Sequence, residues 1–277
     1  MALASIPSPP RSSWHLGPLP VRAQALCVVA GILLGLWLAA RRYRADGGAP
    51  GVIADVAAWA VPAGLIPAGL GVLLAQARAA PWEDIRTGGE VIGFPGAVAL
   101  GVAAAWVACR RRGIRLGPVA GAVAPAIAFG LAVAALGSWF AQQGYGHPSA
   151  LPWAVAISPA HRPPGYENFA TFQPMFLYQG LWAVTTGAAV VWAAKRFSLP
   201  GERVFGLQAA AYAAGGFGLF WLGIGHLPVV LGLRAGELGD AVVLIGAAAY
   251  LARTRRMRTK PHSAAHKPAL ERDSSVM

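Results

Sequence analysis

The sequence predicts an all-α integral membrane protein with seven transmembrane helices, an external N-terminus and a cytoplasmic C-terminus. The first supporting observation is composition. Of 277 residues, 56% are hydrophobic and only 12% are charged, whereas about a quarter of the residues in a soluble domain are charged. This much apolar surface excludes a disordered chain and argues against a soluble enzyme. On a soluble protein the net charge of +12 would suggest nucleic acid; on a membrane protein it indicates cytoplasmic loops, so no nucleic-acid partner is expected.

The second observation is a series of seven apolar runs. A helix needs about 20 residues to cross a hydrocarbon core of about 30 Å. The runs cover residues 23–40, 56–77, 91–109, 116–141, 174–194, 204–225 and 235–252. Pro62 and Pro67 interrupt the second run, and Glu237 and Asp240 make the seventh run the weakest.

The third observation is the alternation of basic residues between two sides. Clusters of Arg and Lys follow the first, third, fifth and seventh runs and place 17 of the 23 basic residues on one side. This side is predicted to be cytoplasmic, because cytoplasmic loops carry the excess of Arg and Lys. The chain then divides into an external N-terminal segment (1–22), a membrane domain (23–252) with external loops at 78–95 and 142–173, and a basic cytoplasmic tail (253–277) that we expect to be disordered.

Small and ionisable residues within the runs indicate packing. Glycines four residues apart allow helices to approach closely. They are Gly31 and Gly35 in the first run, and Gly117 and Gly121 in the fourth. Glu237 and Asp240 are interpreted as a structural ion cluster with Arg234, because carboxylates are costly in hydrocarbon unless they are paired. The two cysteines lie inside runs and the histidines lack metal-binding spacing, so we expect no disulfide framework, no metal and no cofactor.

The external loops carry most of the remaining information. Residues 142–173 read QQGYGHPSALPWAVAISPAHRPPGYENFATFQ. A loop of this length in a small membrane protein predicts a structured cap that faces a substrate. An interfacial aromatic belt is the alternative interpretation of Trp153 and Tyr166.

Several segments resemble the prolipoprotein diacylglyceryl transferase family over residues 20–252. The most specific is TFQPMFLYQGLW at 171–182, where the family has a phrase close to "TFHPTFLYESLW". LPW at 151–153, QGYG at 143–146 and GLR at 232–234 also match. The resemblance implies a multi-pass protein of the bacterial cytoplasmic membrane. It also implies phosphatidylglycerol as the lipid partner, lipoprotein precursors as the protein partners, and transfer of a diacylglyceryl group to a lipobox cysteine thiol.

The departures from the family pattern fall on its polar positions. The family signature is close to "RxGNxxNxExYG", and residues 135–146 read ALGSWFAQQGYG. The signature Arg is therefore Ala135, its two Asn are Ser138 and Ala141, and its Glu is Gln143. In the phrase at 171–182, the family's His is replaced here by Gln173 and its Glu by Gln179. In the sixth run, an Arg and a Glu of the family are replaced by Gly216 and Phe220.

This pattern predicts weak or lost catalysis with retained lipid or lipoprotein binding, or a modulating role. The planar fork of Arg suits an anionic phosphate, and both family Arg positions are neutral here. Losing charged partners together leaves no single buried charge unpaired. Whether the chain is an enzyme stays open, and no catalytic residue is assigned.

Candidate substrate-binding residues come from the matched motifs and from external arginines. They are Ser138, Gln143, Tyr145, Gly146, Gln173, Tyr178, Arg234, Arg86 and Arg162. One alternative is an active transferase with relocated polar groups, drawn from Arg86, Glu90, His147, His161 or Arg162. Another is a small-molecule transporter, suggested by the Pro and Gly breaks in the second run, although no inverted repeat is visible.

Overall fold

The computed structural model describes residues 5–9, 11–16, 19–77, 94–224, 229–230 and 233–258. This part of the chain contains seven α-helices. They are α1 (Ala23–Ala45), α2 (Val52–Ala77), α3 (Phe94–Arg111), α4 (Leu116–Phe140), α5 (Met175–Arg196), α6 (Gly201–Phe220) and α7 (Ala235–Arg258). A single 3₁₀ turn covers Pro159–His161. The short strands form three antiparallel pairs: β1 (Ser13–Leu16) with β2 (Leu19–Arg22), β3 (Val155–Ala156) with β4 (Thr171–Phe172), and β5 (Val229–Val230) with β6 (Leu233–Arg234).

Each predicted apolar run is helical in the described residues. Several helices extend past the runs at their basic ends, because a helix continues into the interface where Arg and Lys side chains reach water. Helix α6 is the exception: it ends at Phe220 rather than at 225, since the chain turns at Trp221 and Leu222 and Gly223 then pairs with Gly146. Most of the predicted external loop 78–95 and the tail after Arg258 lie outside the described residues.

Helices α1 and α4 are long and apolar enough to cross a membrane by length and composition, among the described residues. Val52–Ile66 and Val243–Ala252 form shorter apolar stretches. The mostly helical architecture is therefore confirmed, whereas seven crossings and their direction stay predictions.

Helix α4 lies at the centre of the bundle, in contact with α1, α5 and α6. Glycines make this possible, as predicted. A Cβ on Gly31 would collide with the carbonyl oxygen of Gly130, and a Cβ on Gly121 would collide with the backbone of Gly201. Because the opposing atoms are backbone, they cannot rotate away, and the helices pack at a distance that only glycine permits.

The two ends of the bundle differ in character. Three short connections, at 46–51, 112–115 and 197–200, lie at one end with the arginine-rich helix termini. The opposite end carries the long loop after α4 and residues 5–9, which meet through an Ile6–Val155 bridge. One end of the described bundle is therefore basic and the other carries the long loop; that these ends are cytoplasmic and external stays a prediction.

Candidate functional site

Residues 135–146, the signature-like segment, form the end of α4 and the bend between α4 and the long loop. Gln142 (φ +50°) and Gly144 (φ +62°) both take the left-handed backbone conformation that turns the chain back. The amide of Gly146 then donates to the carbonyl oxygen of Gln173 at 2.9 Å. A side chain at Gly146 would collide with the carbonyl oxygen of Leu222. Glycine is therefore required here because the loop crosses the end of α6 at backbone contact.

The long loop is a folded cap built around a small hydrophobic core. Phe172 is completely buried and packs with Val155, Ile157 and Phe176. Its ring lies 4.9 Å from the ring of Tyr145. The prediction of a structured loop is confirmed; that this cap faces a substrate stays a prediction.

The N-terminal segment adds an edge to this cap. The amide of Ile6 donates to Ala154 O at 2.8 Å, and the amide of Ala156 donates to Ile6 O at 3.0 Å, in parallel register. The hydroxyl of Ser8 donates to Ala156 O. Trp139 Nε1 donates to Pro7 O at 3.2 Å. Ile6 therefore adds a single parallel bridge at the edge of the β3–β4 pair, and Pro7 ties this segment to the end of α4.

A small cavity lies between the end of α4 and the cap. Its lining residues are Ser138, Trp139, Gln142, Gln143, Gly144, Tyr145, Val155, Ile157 and Phe176. Its interior of about 10 Å³ has room for one water molecule. The structure thus brings three predicted site residues together, namely Ser138, Gln143 and Tyr145. All nine lining residues are uncharged.

Hydrogen bonds hold the cap against this cavity. The Tyr145 hydroxyl donates to the carbonyl oxygen of His161. The Ser158 amide donates to Gln142 Oε1 at 2.9 Å, and Ser158 Oγ lies 2.8 Å from His161 Nδ1. Arg162 donates from Nε to Ile157 O at 3.2 Å and from Nη1 to Glu167 O at 2.7 Å. Two of the Arg162 nitrogens are therefore committed to the backbone of the cap.

Glu167 stabilises the adjacent turn. Its carboxylate accepts the amide N–H of Gly165 at 2.9 Å. The pKa of Glu167 is lowered from its ordinary value because backbone N–H groups, its own and that of Gly165, favour the ionised form.

The other predicted site residues lie beside the cavity or elsewhere. Gln173 packs its Cβ near Gly146, and its Oε1 is buried without a hydrogen-bond partner among the described residues. Tyr178 accepts a hydrogen bond from Trp153 Nε1 at 2.9 Å and does not line the cavity. His147 is exposed, and its amide donates to Leu222 O.

Some predictions fall outside the described residues. Arg86 and Glu90 lie outside them entirely, as do the side chains of Arg234 and Glu237. Of the predicted ion cluster of Arg234, Glu237 and Asp240, the structure therefore describes only the side chain of Asp240. Its carboxylate lies against α6: a Cβ on Gly216 would be 3.0 Å from Asp240 Oδ1.

Sequence reasoning missed several residues of this region, above all Trp139, Gln142 and Ser158. Trp139 and Gln142 lie inside the signature-like segment, so proximity to Ser138 and Gln143 was a usable signal. No signal marked Ile6 or Ser8, because their pairing with the cap uses mainly backbone groups, which every sequence supplies.

A bundle of apolar helices with small-residue contacts and a folded cap over the end of its central helix is typical of a membrane-embedded protein. Comparison with known proteins specifies the family. A family model described as prolipoprotein diacylglyceryl transferase matches residues 11–252. The chain belongs to this family of bacterial membrane proteins, as the resemblance in its motifs predicted.

Several transferases are similar to this chain in sequence over most of their length. The chain is 43% identical to phosphatidylglycerol–prolipoprotein diacylglyceryl transferase 2 of Streptomyces coelicolor over 257 residues, which are 91% of this chain and 81% of the relative. It is 40% identical to the corresponding transferase of Streptomyces avermitilis over 268 residues, 93% of this chain and 77% of the relative. It is 37% identical to that of Corynebacterium efficiens over 294 residues, 99% of this chain and 91% of the relative.

Proposed function

We propose that the protein binds phosphatidylglycerol and lipoprotein precursors at the outer face of the bacterial cytoplasmic membrane, and that it transfers the diacylglyceryl group slowly or not at all. The names of its relatives support the two substrates. One observation supports weakened transfer: the cavity at the signature-like segment is lined only by uncharged side chains.

The chemistry of the transfer explains why this observation matters. The thiol must first lose its proton, because the thiolate is the nucleophile. Its sulfur then forms a bond to a glycerol carbon of the lipid while the bond from that carbon to the phosphate oxygen breaks. The electron pair leaves with the glycerol phosphate, so negative charge grows on the phosphate oxygens. Preorganised cations or N–H donors lower this barrier, and removing one such donor costs about 10²- to 10³-fold in rate.

The residues present can bind the lipid better than they can drive its cleavage. Ser138 carries a hydroxyl and Gln143 an amide, groups that suit a phosphate oxygen as donors. Their cavity has room for one water molecule, so it must widen to admit a phosphate. Neither supplies the bidentate, charged fork of an Arg. Arg162, the cation of the cap nearest to the cavity wall, bonds the carbonyl of Ile157, which lines that wall. Binding with little stabilisation of the departing phosphate follows from this donor set.

Expression in cells depleted of their own transferase tests the proposal. A lipobox reporter protein is followed by mass spectrometry, and an active relative serves as the positive control. We expect the diacylglyceryl adduct to accumulate at less than about one hundredth of the control rate, the effect of one lost donor. An adduct at the control rate would refute weakened catalysis. Absence of co-purified phosphatidylglycerol after mild extraction would refute the binding part.

A gain-of-function variant sharpens this test. Ala135→Arg with Gly216→Arg returns two cations to positions where the family carries them. We expect this variant to raise the adduct rate at least tenfold over the unmodified chain. Ala135→Met with Gly216→Met adds comparable bulk without charge and is the matched control. Equal rates in both variants would show that charge is not what the site lacks.

The second candidate is an active transferase with relocated polar groups, favoured by the high identity to named transferases. It predicts a full adduct rate in the unmodified chain. It also predicts that Arg86→Ala or Arg162→Ala lowers that rate, and unchanged rates in both variants would exclude these replacements.

A further inference from the structure

Arginines lie over aromatic rings at the end of the bundle opposite the cap. The Cζ-to-centroid distances are 5.6 Å for Arg41 over Trp37, 4.8 Å for Arg110 over Trp106, 5.1 Å for Arg111 over Trp59 and 5.7 Å for Arg196 over Phe197. Arg110, Arg111 and Arg196 lie in the last turns of their helices, and Arg41 lies four residues before the end of α1. A cation within about 6 Å of a ring is attracted by the ring face.

The densest group lies where α2 meets α3. Arg110 and Arg111 end α3 and Arg112 follows it directly, but their partners differ. Arg112 Nη2 forms a salt bridge of 2.5 Å with Asp55 Oδ2. Within the part of the chain that the structure describes, Arg110 and Arg111 have no carboxylate within 4.0 Å. One charge of the three is therefore neutralised, and two stay available to an outside anion.

The rings beneath these two cations face outward. Trp59 is 54% exposed and Trp106 is 45% exposed. Trp side chains at the ends of membrane helices favour the headgroup level, where an apolar ring body meets water. A guanidinium stacked on such a ring keeps the N–H donors along its edge free, and that edge can bind a phosphate with two parallel hydrogen bonds.

We propose that Trp59, Trp106, Arg110 and Arg111 form a clamp for the phosphate of an anionic phospholipid in the leaflet at this end of the bundle. The occupant follows from charge and depth. The clamp is cationic, α3 exposes Val102 one turn before Trp106, and tryptophan rings favour the level where acyl chains give way to headgroups. A lipid seated here contacts the rings with its glycerol backbone and the guanidinium edges with its phosphate. This site is separate from the cavity under the cap, and its ligand need not be a substrate.

Photocrosslinking locates the lipid. The full-length protein is placed in phosphatidylcholine nanodiscs that contain a photoreactive phosphatidylserine, and crosslinked peptides are mapped by mass spectrometry. Phosphatidylserine is chosen because the relatives are named for phosphatidylglycerol, so the result is independent of any transfer reaction. We expect crosslinks on the ends of α2 and α3.

Two variants with equal charge loss separate a site from general attraction. Arg110→Gln with Arg111→Gln removes the clamp cations. Arg44→Gln with Arg115→Gln removes two exposed arginines at the same end that lie over no ring among the described residues. Because the clamp arginines would bond the phosphate directly through charge-assisted hydrogen bonds, losing both is expected to lower the crosslink yield at α2–α3 roughly tenfold or more. The control is expected to lower it less than about twofold, since its charges lie outside the clamp.

Equal losses in the two variants, or no loss in the clamp variant, would overturn the proposal. Trp59→Leu with Trp106→Leu gives an independent reading that keeps every charge. It is expected to lower the yield by about threefold, because the stacked guanidiniums lose the rings that orient them. An unchanged crosslink yield in this variant would mean that general attraction between charges accounts for the binding, and it would also overturn the proposal of a clamp.

Discussion

Replacing Phe172 by alanine should open the cap while leaving the membrane helices intact. The Phe172 side chain is 0% exposed, and it contacts the core residues Val155 and Phe176 and the ring of Tyr145. Truncating a buried Phe to Ala costs about 3–5 kcal/mol, to which loss of the Tyr145 ring contact contributes about 0.5–1.5 kcal/mol. Since each 1.36 kcal/mol is a factor of ten, the open population of the cap should rise roughly 10²- to 5 × 10³-fold.

Amide hydrogen exchange of the protein in nanodiscs measures this opening directly. Two reporter amides cross the cap: Ile157 N donates to Ala170 O at 3.0 Å, and Gln173 N donates to His147 O at 3.0 Å. When closing is faster than exchange, the exchange rate follows the open population. Peptides that contain these amides should therefore exchange roughly 10²- to 5 × 10³-fold faster in Phe172→Ala, whereas peptides from the middle of α4 should not change.

Phe169→Ala is the matched control because the same side chain is removed from a position that is 49% exposed. It should accelerate exchange of the same peptides by less than about fivefold, since less apolar area returns to water. Similar acceleration in both variants would refute the reasoning that burial of Phe172 holds the cap closed. So would exchange in Phe172→Ala within threefold of the unmodified protein.

Two further predictions concern helix contact and pH. Gly130→Ala should lower the midpoint temperature of unfolding in detergent, because the new Cβ meets the carbonyl oxygen of Gly31 and overpacking costs about 1–3 kcal/mol. The control Gly218→Ala should leave that temperature unchanged, since its Cβ would meet no atom within 4 Å. Equal shifts in the two variants would contradict the close α1–α4 contact. Glu167 has a lowered folded-state pKa, so its contribution to the turn is present above the ordinary Glu pKa and is lost as pH falls through the folded value. Protection of the Gly165 amide, corrected for intrinsic exchange, should fall over that acidic range and become pH-independent in Glu167→Gln; a Gly165 profile unchanged by that substitution would contradict the link.

The folded cap and the proposed loss of charged residues at the site indicate that the chain kept the shape of the family while losing its charged groups. The residues that shape the bend, Gly144 and Gly146, match requirements of backbone geometry. By the resemblance to the family signature, the positions expected to carry charge hold uncharged residues, which a membrane accepts without a partner. Shape depends on sterics and burial, while catalysis depends on preorganised charge, so one can persist without the other.

Most of the helical architecture was predictable because it depends on local properties. A run of about 20 apolar residues is stable in a bilayer only when its backbone is bonded internally, and this makes it helical in nearly any context. The close contact of Gly31 with α4 was also predictable, since only small residues permit such an approach. The length of α6 was not, because its end at Phe220 depends on the pairing of Gly223 with Gly146, seventy-seven residues earlier in the chain.

The sequence by itself determined the family, the seven helical segments and the basic end of the bundle, because composition, motif and charge are properties of the chain and need no partner. Only the tertiary structure decided which side chains meet. It joined Ser138, Gln143 and Tyr145 at one cavity, engaged Arg162 with the backbone of the cap, and paired Ile6 with Val155. It also separated Arg112, neutralised by Asp55, from two neighbours that lie over tryptophan rings. These contacts join residues that are distant in the chain. They depend on backbone hydrogen bonds and on the directions in which side chains point, and neither leaves a local pattern in the sequence.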